Sequence, residues 1–353
     1  MPDHSPNLDR AAPVRPDEEL DWPALETYLR AHLPETGGTM TVAQFHGGHA
    51  NLTYLLKFGK AEYVLRRPPF GKIAPGAHDM KREYRVLSKL NPHFSPAPRA
   101  FHYCNDETVI GAAFVVVERR HGVLVRYDLP ECFQDFERAE ERLTVALVEM
   151  QARLHRLDPY AIGLEKLGRP EGFLQRQVAG WSKRWELSKT QDNPKADALG
   201  GLLSADIPVP QAVSIVHNDI KFDNCQFQPD DPDVVTSLFD WDMTTLGDPL
   251  SCFASTLGYW PDERFPEFRF PVMLQGNFPD KEFVRKQYAA ATGYDLSRIT
   301  WYEAFAYFKA AVICQQLYQR YALGKSTDPR MAKMGRAAEM FAEIAWRLIS
   351  GEL

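Results

Sequence analysis

The residues best equipped for chemistry lie in one stretch, 215–249. His217, Asp219 and Asn224 stand in an H-x-D-x-x-x-x-N pattern, and Asp240 closes the apolar run that follows. A carboxylate, an amide and a second carboxylate at this spacing suit phosphoryl transfer, where positioning and charge neutralisation do most of the work. Asp219 would accept or orient the proton of an acceptor hydroxyl. Asn224, through its amide oxygen, and Asp240 would hold Mg²⁺, a hard cation that takes oxygen ligands. Lys221 follows closely enough to reach a transferring phosphate. His217 reads as a residue that fixes the loop rather than as a base. Asp242, on the same side of an extended segment as Asp240, reads as a partner of nearby backbone groups. Alone, such a pattern has modest specificity, so the elements around it must supply a nucleotide-holding wall.

Three strand signals precede it, at 40–45, 53–58 and 63–66, rich in Val, Thr, Tyr, Leu and Phe. The first connection contains Gly47, Gly48 and Asn51; its backbone N–H groups can approach a phosphate, although a plain hairpin turn is the alternative. The third strand ends on Arg66, and a helix over about 78–90 carries Glu83. A basic side chain on this strand, paired with a helical Glu, is how kinases clamp nucleotide phosphates. Arg66 offers a bidentate fork where lysine would place a point charge. A surface arginine and an unrelated glutamate form the alternative. Strands at 100–103 and 113–117 follow, and the second runs into Glu118-Arg119-Arg120-His121-Gly122. That segment sits where a hinge belongs, with Glu118 offering backbone groups to a nucleotide base.

Apolar residues at helical spacing mark 131–157 and 173–187, with Trp181 and Trp185 as packing residues. A shorter helix near the start has Asp21 as its cap and Pro23 in its first turn. The 190–212 segment reads mainly as loop, and Asp248 before Pro249 caps another helix. The expected architecture is α+β and bilobal. Residues 1–36 form a tail and short helix, 37–120 a small five-stranded antiparallel N-lobe with one main helix, and 121–353 a larger, mostly helical C-lobe.

Composition removes several classes. Hydrophobic residues are 44% and charged residues 25% of 353, the usage of a globular protein with a sizeable core. A net charge of −6 gives no attraction to nucleic acid or anionic membranes. No apolar run approaches the roughly 18 residues of a membrane span, and residues 1–19 lack a secretory apolar core. The five scattered cysteines make no C-x-x-C pair, which fits reduced thiols in a cytoplasm. Nothing in the sequence sets the oligomeric state.

The motifs GGHANLTYLL, YVLRRPPFG with REYRVL, LHRLDPYAIGLEKLGRPEGFLQRQVAGW, HNDIKFDN and FDWDMTTLGDP carry a resemblance. The chain resembles the aminoglycoside phosphotransferase/choline kinase-like family, a branch of the protein-kinase-like fold. Within it, the chain is most similar to phosphotransferase domains related to those fused to acyl-CoA dehydrogenases. The resemblance spans roughly residues 40–260 and fits the helical tail more loosely. It implies an ATP-binding N-lobe, a helical C-lobe and Mg²⁺-dependent transfer to the hydroxyl of a small molecule. By position, Asp219 resembles the catalytic Asp, Asn224 and Asp240 the metal ligands, and Arg66 with Glu83 the phosphate clamp. The wider fold has Lys where this chain has Arg66.

The acceptor is harder to read. Residues 259–353 hold 13 Lys/Arg and 11 Asp/Glu, whereas a polycationic aminoglycoside selects an acidic surface. The segment is rich in aromatics, and helical packing explains most of them. The remainder fits an acceptor with an apolar or anionic part, such as a hydroxyacyl thioester of the CoA type. Aromatic pockets also bind quaternary ammonium groups, so an aminoglycoside- or choline-type kinase stays open. A catalytically weak nucleotide- or acyl-CoA-binding module is a further alternative. A protein kinase is disfavoured because no A-P-E segment follows Asp240.

Overall fold

The computed structural model describes residues 10–46, 51–71, 79–262, 264–265 and 276–352. The chain divides into two compact units. One comprises Met1–Met150, Tyr160–Leu167 and Lys221–Thr244, the other Gln151–Pro159, Gly168–Ile220 and Thr245–Leu353.

The first unit is built on strands β1 (Met40–Phe45), β2 (Leu52–Phe58), β3 (Ala61–Arg67), β4 (Ala100–Cys104) and β5 (Phe114–Glu118). They form the expected five-stranded antiparallel sheet, in the order β1-β2-β3-β5-β4. Gly59, at φ 59, allows the two-residue turn that pairs Phe58 with Ala61. Helix α1 (Trp22–His32) starts where Asp21 accepts from the Ala24 amide at 3.0 Å. It buries Leu25 and Leu29 in a core with Tyr54, Leu56, Leu65 and Phe114 of the sheet. Truncating either leucine to alanine would cost about 2–5 kcal/mol.

Helix α2 (Met80–Leu90) is capped by Asp79, which accepts from the Arg82 amide at 2.9 Å. Its buried face is Met80, Glu83, Val86, Leu87 and Leu90, so a carboxylate sits in an otherwise apolar stripe. A second sheet joins β6 (Val123–Leu124), β8 (Cys225–Gln228) and β9 (Asp231–Leu238) in the order β6-β8-β9. Gly122 leads into it at a point where a Cβ would lie 2.9 Å from the Phe227 carbonyl oxygen.

The helix expected over 131–157 is interrupted. A 3₁₀ turn, Glu131–Phe133, precedes α3 (Ala139–Arg156), and Arg138 between them takes φ 55. That left-handed residue directly precedes α3, and Phe133 of the earlier turn is buried.

In the second unit, β7 (Ser214–Val216) pairs antiparallel with β10 (Thr245–Gly247). Around them stand α4 (Phe173–Ser188), α5 (Pro194–Ala205), α6 (Pro249–Leu257), α7 (Lys281–Thr292), α8 (Ile299–Ala322), α9 (Pro329–Ala332) and α10 (Met334–Ser350). A Cβ on Gly247 would lie 2.6 Å from the Phe173 ring, so the close approach of α4 to β10 requires glycine. Asp248 caps α6 as expected, accepting from the Leu250 amide at 2.8 Å. Half of the tail's sixteen described aromatics are core: Trp260, Phe265, Tyr288, Trp301, Tyr302, Phe305, Tyr307 and Phe308 are buried.

Helix α5 corrects the loop reading of 190–212. Asn193 accepts from the Ala196 amide at 3.1 Å and Pro194 supplies the first turn. Gly200 and Gly201 argue against a helix on propensity alone. Packing overrides this, because a Cβ on Gly200 would lie 2.3 Å from Ser182 Oγ of α4.

Candidate active site

Asn224 and Asp240 are brought together by strand pairing. Asn224 immediately precedes β8 and Asp240 follows β9, whose ends pair at Cys225 and Leu238. The Phe239 amide donates to the Asn224 carbonyl at 2.8 Å, and the Asn224 amide to the Lys221 carbonyl at 3.0 Å. Asp240 itself takes φ 69 and ψ 59, a left-handed conformation that Asp tolerates better than bulkier residues. Such strain points towards function when the surrounding structure enforces it. Here the next residue is locked, since Trp241 is buried and its indole N–H donates to the Leu238 carbonyl at 2.7 Å.

Arg66, at the end of β3, meets both expected neighbours. Its guanidinium lies 3.1 Å from Glu83 of α2 and 3.1 Å from Asp240. The Arg66 side chain is 12% exposed and that of Glu83 1%, so the ion pair is buried. Burial favours deprotonation of Arg66, but Glu83, Asp240 and Asp242 together raise its pKa above the ordinary arginine value. Burial pushes the Glu83 carboxyl up, with Arg66 opposing it and Asp240 and Asp242 adding to it.

These side chains line a cavity of about 1040 Å³, counting its open mouth. Phe45, Val64, Leu87, Val117, Leu124 and Phe239 supply apolar walls, and Asn51, Thr53, Arg66, Glu83, Glu118, Asn224 and Asp240 supply polar ones. Apolar walls with convergent polar groups are the usual form of a small-molecule site, and this one carries several charges besides. Asn51, Arg66, Glu83, Glu118, Asn224 and Asp240, all singled out from the sequence, therefore share one cavity of the first unit. Gly47 and Gly48 lie outside the described residues. The Glu118 carboxylate is occupied, accepting from the Arg99 amide at 2.9 Å and pairing with Arg120 at 3.1 Å. Arg119, Arg120 and Arg126 also line the cavity. Sequence reasoning missed them as site residues because arginines past a strand end read as solvated surface.

Asp219 belongs to the second unit, where α6 acts as a template for the loop before it. The Asn218 amide donates to Cys252 Sγ at 3.3 Å, and Thr256 Oγ1 donates to the Ile220 carbonyl at 3.1 Å. Asn218 adopts φ 73, a left-handed conformation that Asn tolerates. Buried His217 accepts at Nδ1 from the Asp219 amide at 3.3 Å, as the loop-fixing reading expects. Lys221 opens a 3₁₀ turn, Phe222–Asn224, in extended conformation.

Two residues near Asp219 were not singled out. Tyr259, just past α6, donates its hydroxyl to Asp219 Oδ1 at 2.9 Å. Lys309 of α8 donates to Ser255 Oγ at 2.9 Å, and its ammonium interacts electrostatically with the Asp219 carboxylate. Burial pushes the Lys309 pKa down to about 8, against the pull of Cys252 and Asp219. No local motif announces either residue, because both arrive from later elements through tertiary packing.

Residues 41–286 match the phosphotransferase enzyme family APH. Rat acyl-CoA dehydrogenase family member 11 (Rattus norvegicus) is 33% identical over 347 residues, 95% of this chain. The chain spans 44% of that relative's length. A Ralstonia eutropha JMP134 crystal structure, provisionally called an aminoglycoside phosphotransferase, is 30% identical with a TM-score of 0.79, covering 94% of this chain and 99% of the other. Choline kinase from Cryptosporidium parvum Iowa II shares the fold at 12% identity and a TM-score of 0.60, over 94% of this chain and 97% of its own. With more than half its length matched and the five-stranded sheet in place, the chain belongs to the APH phosphotransferase enzyme family and has a kinase-like fold.

Proposed function

We propose that the chain transfers the γ-phosphoryl group of ATP, with Mg²⁺, to a hydroxyl of a small molecule that is not a polycation. The observation that carries this reading is the gathering of Arg66, Glu83, Asn224 and Asp240 in one cavity of the first unit. Arg66 Nε and Glu83 Oε2 are buried there without hydrogen-bond partners. Buried polar atoms left unpaired are costly, so a polar ligand in the cavity fits them. Asn224 and Asp240 offer hard oxygen donors, and Mg²⁺ needs few protein ligands when phosphates and water complete its shell. When bound, the ion would neutralise charge on the phosphates.

The remaining roles belong to the chain's own residues. Arg66, held between two carboxylates, is placed to orient phosphate oxygens, with a fork that keeps its geometry as they arrive. Asn51 and Glu118 contribute to the nucleotide cavity, Glu118 through its backbone. Asp219 accepts the proton of the acceptor hydroxyl, and Lys221 contacts the transferring phosphate. Four residues separate Asp219 from Asn224, so the covalent chain alone limits their separation to about 18 Å.

Lys309, whose ammonium interacts electrostatically with Asp219, disfavours a cationic acceptor and favours one with an anionic part. The relatives named acyl-CoA dehydrogenases support hydroxyacyl-CoA thioesters as the first class to try. One observation favours a second reading, a nucleotide- or acyl-CoA-binding module with weak catalysis: Arg66 already neutralises Asp240, which Mg²⁺ would have to share. An ATP-consumption screen against hydroxyacyl-CoAs, amino alcohols and aminoglycosides separates the two. A responsive hydroxyl supports transfer, whereas Mg²⁺-dependent stabilisation by ATP without turnover across the whole set supports the module.

A further inference from the structure

Four arginines line the cavity of the first unit among the described residues: Arg66, Arg119, Arg120 and Arg126. Three of them are engaged. Arg66 pairs with Glu83 and Asp240. Arg120 pairs with Glu118 and donates to the carbonyls of Ser95 and Ala97 at 2.8 and 3.1 Å. Arg119 donates to the Arg120 carbonyl at 2.6 Å and stacks over Phe45 at 4.9 Å.

Arg126 differs. Its Nε, like those of the other three, is buried without a hydrogen-bond partner. Unlike Arg66 and Arg120, however, Arg126 has no described carboxylate within ion-pair distance, and unlike Arg119 it donates to no described carbonyl. Of the four carboxylates that line the cavity, Glu83, Glu118 and Asp240 serve Arg66 and Arg120, and Asp223 makes no ion pair with Arg126. A guanidinium cannot shed its charge, so a partly buried one without a partner is expensive. Such a cost inside a cavity is what a charged ligand relieves on binding. The planar fork of arginine matches phosphate oxygens bidentately, whereas an adenine or a bare ribose offers it no charge.

We propose that Arg126 is a phosphate-binding residue for the nucleotide, a second cation in the cavity beside Arg66. This inference rests on the nucleotide reading of the cavity and adds to it a residue that the catalytic motifs do not contain. Arg66 enters from β3, already neutralised by its carboxylates. Arg126 comes from the chain just past β6 with its charge uncompensated, and so carries the larger share of the net attraction for an anion.

The test is calorimetric titration of the full chain and of Arg126→Met with ATP, ADP, AMP and adenosine, each with Mg²⁺. The expected result is an ATP Kd weakened about tenfold to a hundredfold in Arg126→Met, the span of a charged hydrogen bond. Adenosine binding should stay within about twofold. Among the phosphorylated ligands, the first to show the loss identifies the phosphate contacted. Arg126→Lys, which keeps the charge and disturbs the fold least, should lose less ATP affinity than Arg126→Met while leaving adenosine unchanged. An ATP Kd unaltered in both variants, or an equal loss for adenosine, overturns the proposal. If the unsubstituted chain binds no nucleotide, the nucleotide reading fails and takes this inference with it. If it binds and Arg126→Met binds equally well, only the inference fails.

Discussion

Replacing Lys309 by methionine should stabilise the second unit and at the same time slow phosphoryl transfer. Lys309 keeps an ammonium on α8 with Ser255 Oγ at 2.9 Å and the Phe305 ring at 5.4 Å. Its pKa falls from 10.5 to about 8 because burial penalises the charged form. That difference corresponds to about 3 kcal/mol of stability forgone while the ammonium is charged. The unfolded chain binds this proton more tightly than the folded one, so the deficit is full below pH 8 and recovered as pH rises towards 10.5. Lys309→Met removes the penalty and one hydrogen bond worth about 1 kcal/mol, leaving a net gain of about 2 kcal/mol at pH 7. Urea unfolding of both proteins, followed by tryptophan fluorescence from pH 7 to 10, gives the difference directly. It should favour the variant at pH 7 and shrink as pH rises. A variant less stable at pH 7, with a difference flat in pH, would show that the ammonium is not held against its preference. Turnover should fall in the same variant, because a costly charge beside Asp219 is retained for what it does there.

Two further outcomes follow from the second unit. Tyr259→Phe removes the hydroxyl that holds Asp219 Oδ1, so kcat should drop about tenfold while the ATP Kd stays unchanged; parallel kinetics and calorimetry check this, and an unaltered kcat would remove Tyr259 from the site. Asp262 is held low because hydrogen bonds and charge from Arg264 and Lys281 outweigh the burial that would raise it. Asp262→Asn should therefore cost about 3 kcal/mol at neutral pH, since it leaves Lys281 buried with one carboxylate fewer. Because that carboxyl's pKa is depressed in the fold, the stability gap between the two proteins should close as pH falls below about 4. A gap that persists in acid would mean the loss is one of packing.

What could be read beforehand was whatever local chemistry enforces. Asp21 and Asp248 announced their helices because an acidic side chain before proline has few better uses than capping. The five strands were legible from β-branched and aromatic runs broken by glycine. The Arg66–Glu83 pair was legible because kinases pair a basic side chain on this strand with a Glu on the helix that follows. Helix α5 was hidden by Gly200 and Gly201; the smallness of Gly200 serves packing on Ser182 rather than flexibility. The break at Arg138 was hidden because no propensity marks a left-handed arginine. Tyr259 and Lys309 share a third reason. Each reaches its site from a distant part of the chain, and sequence spacing holds no record of such meetings. The aromatic tail behaved as helical packing predicts, with half of its described rings in the core, and Tyr259 reaches the catalytic loop.

The most direct measurement follows the γ-phosphate of labelled ATP onto a hydroxyl acceptor, by mass spectrometry of the product, in the unsubstituted chain and in Asp219→Asn. Transfer to a hydroxyacyl-CoA or another non-polycationic alcohol in the first, and loss of at least a hundredfold in the second, is the predicted result. Product formed at the same rate by Asp219→Asn would contradict the assignment of Asp219 as the group that takes the acceptor's proton.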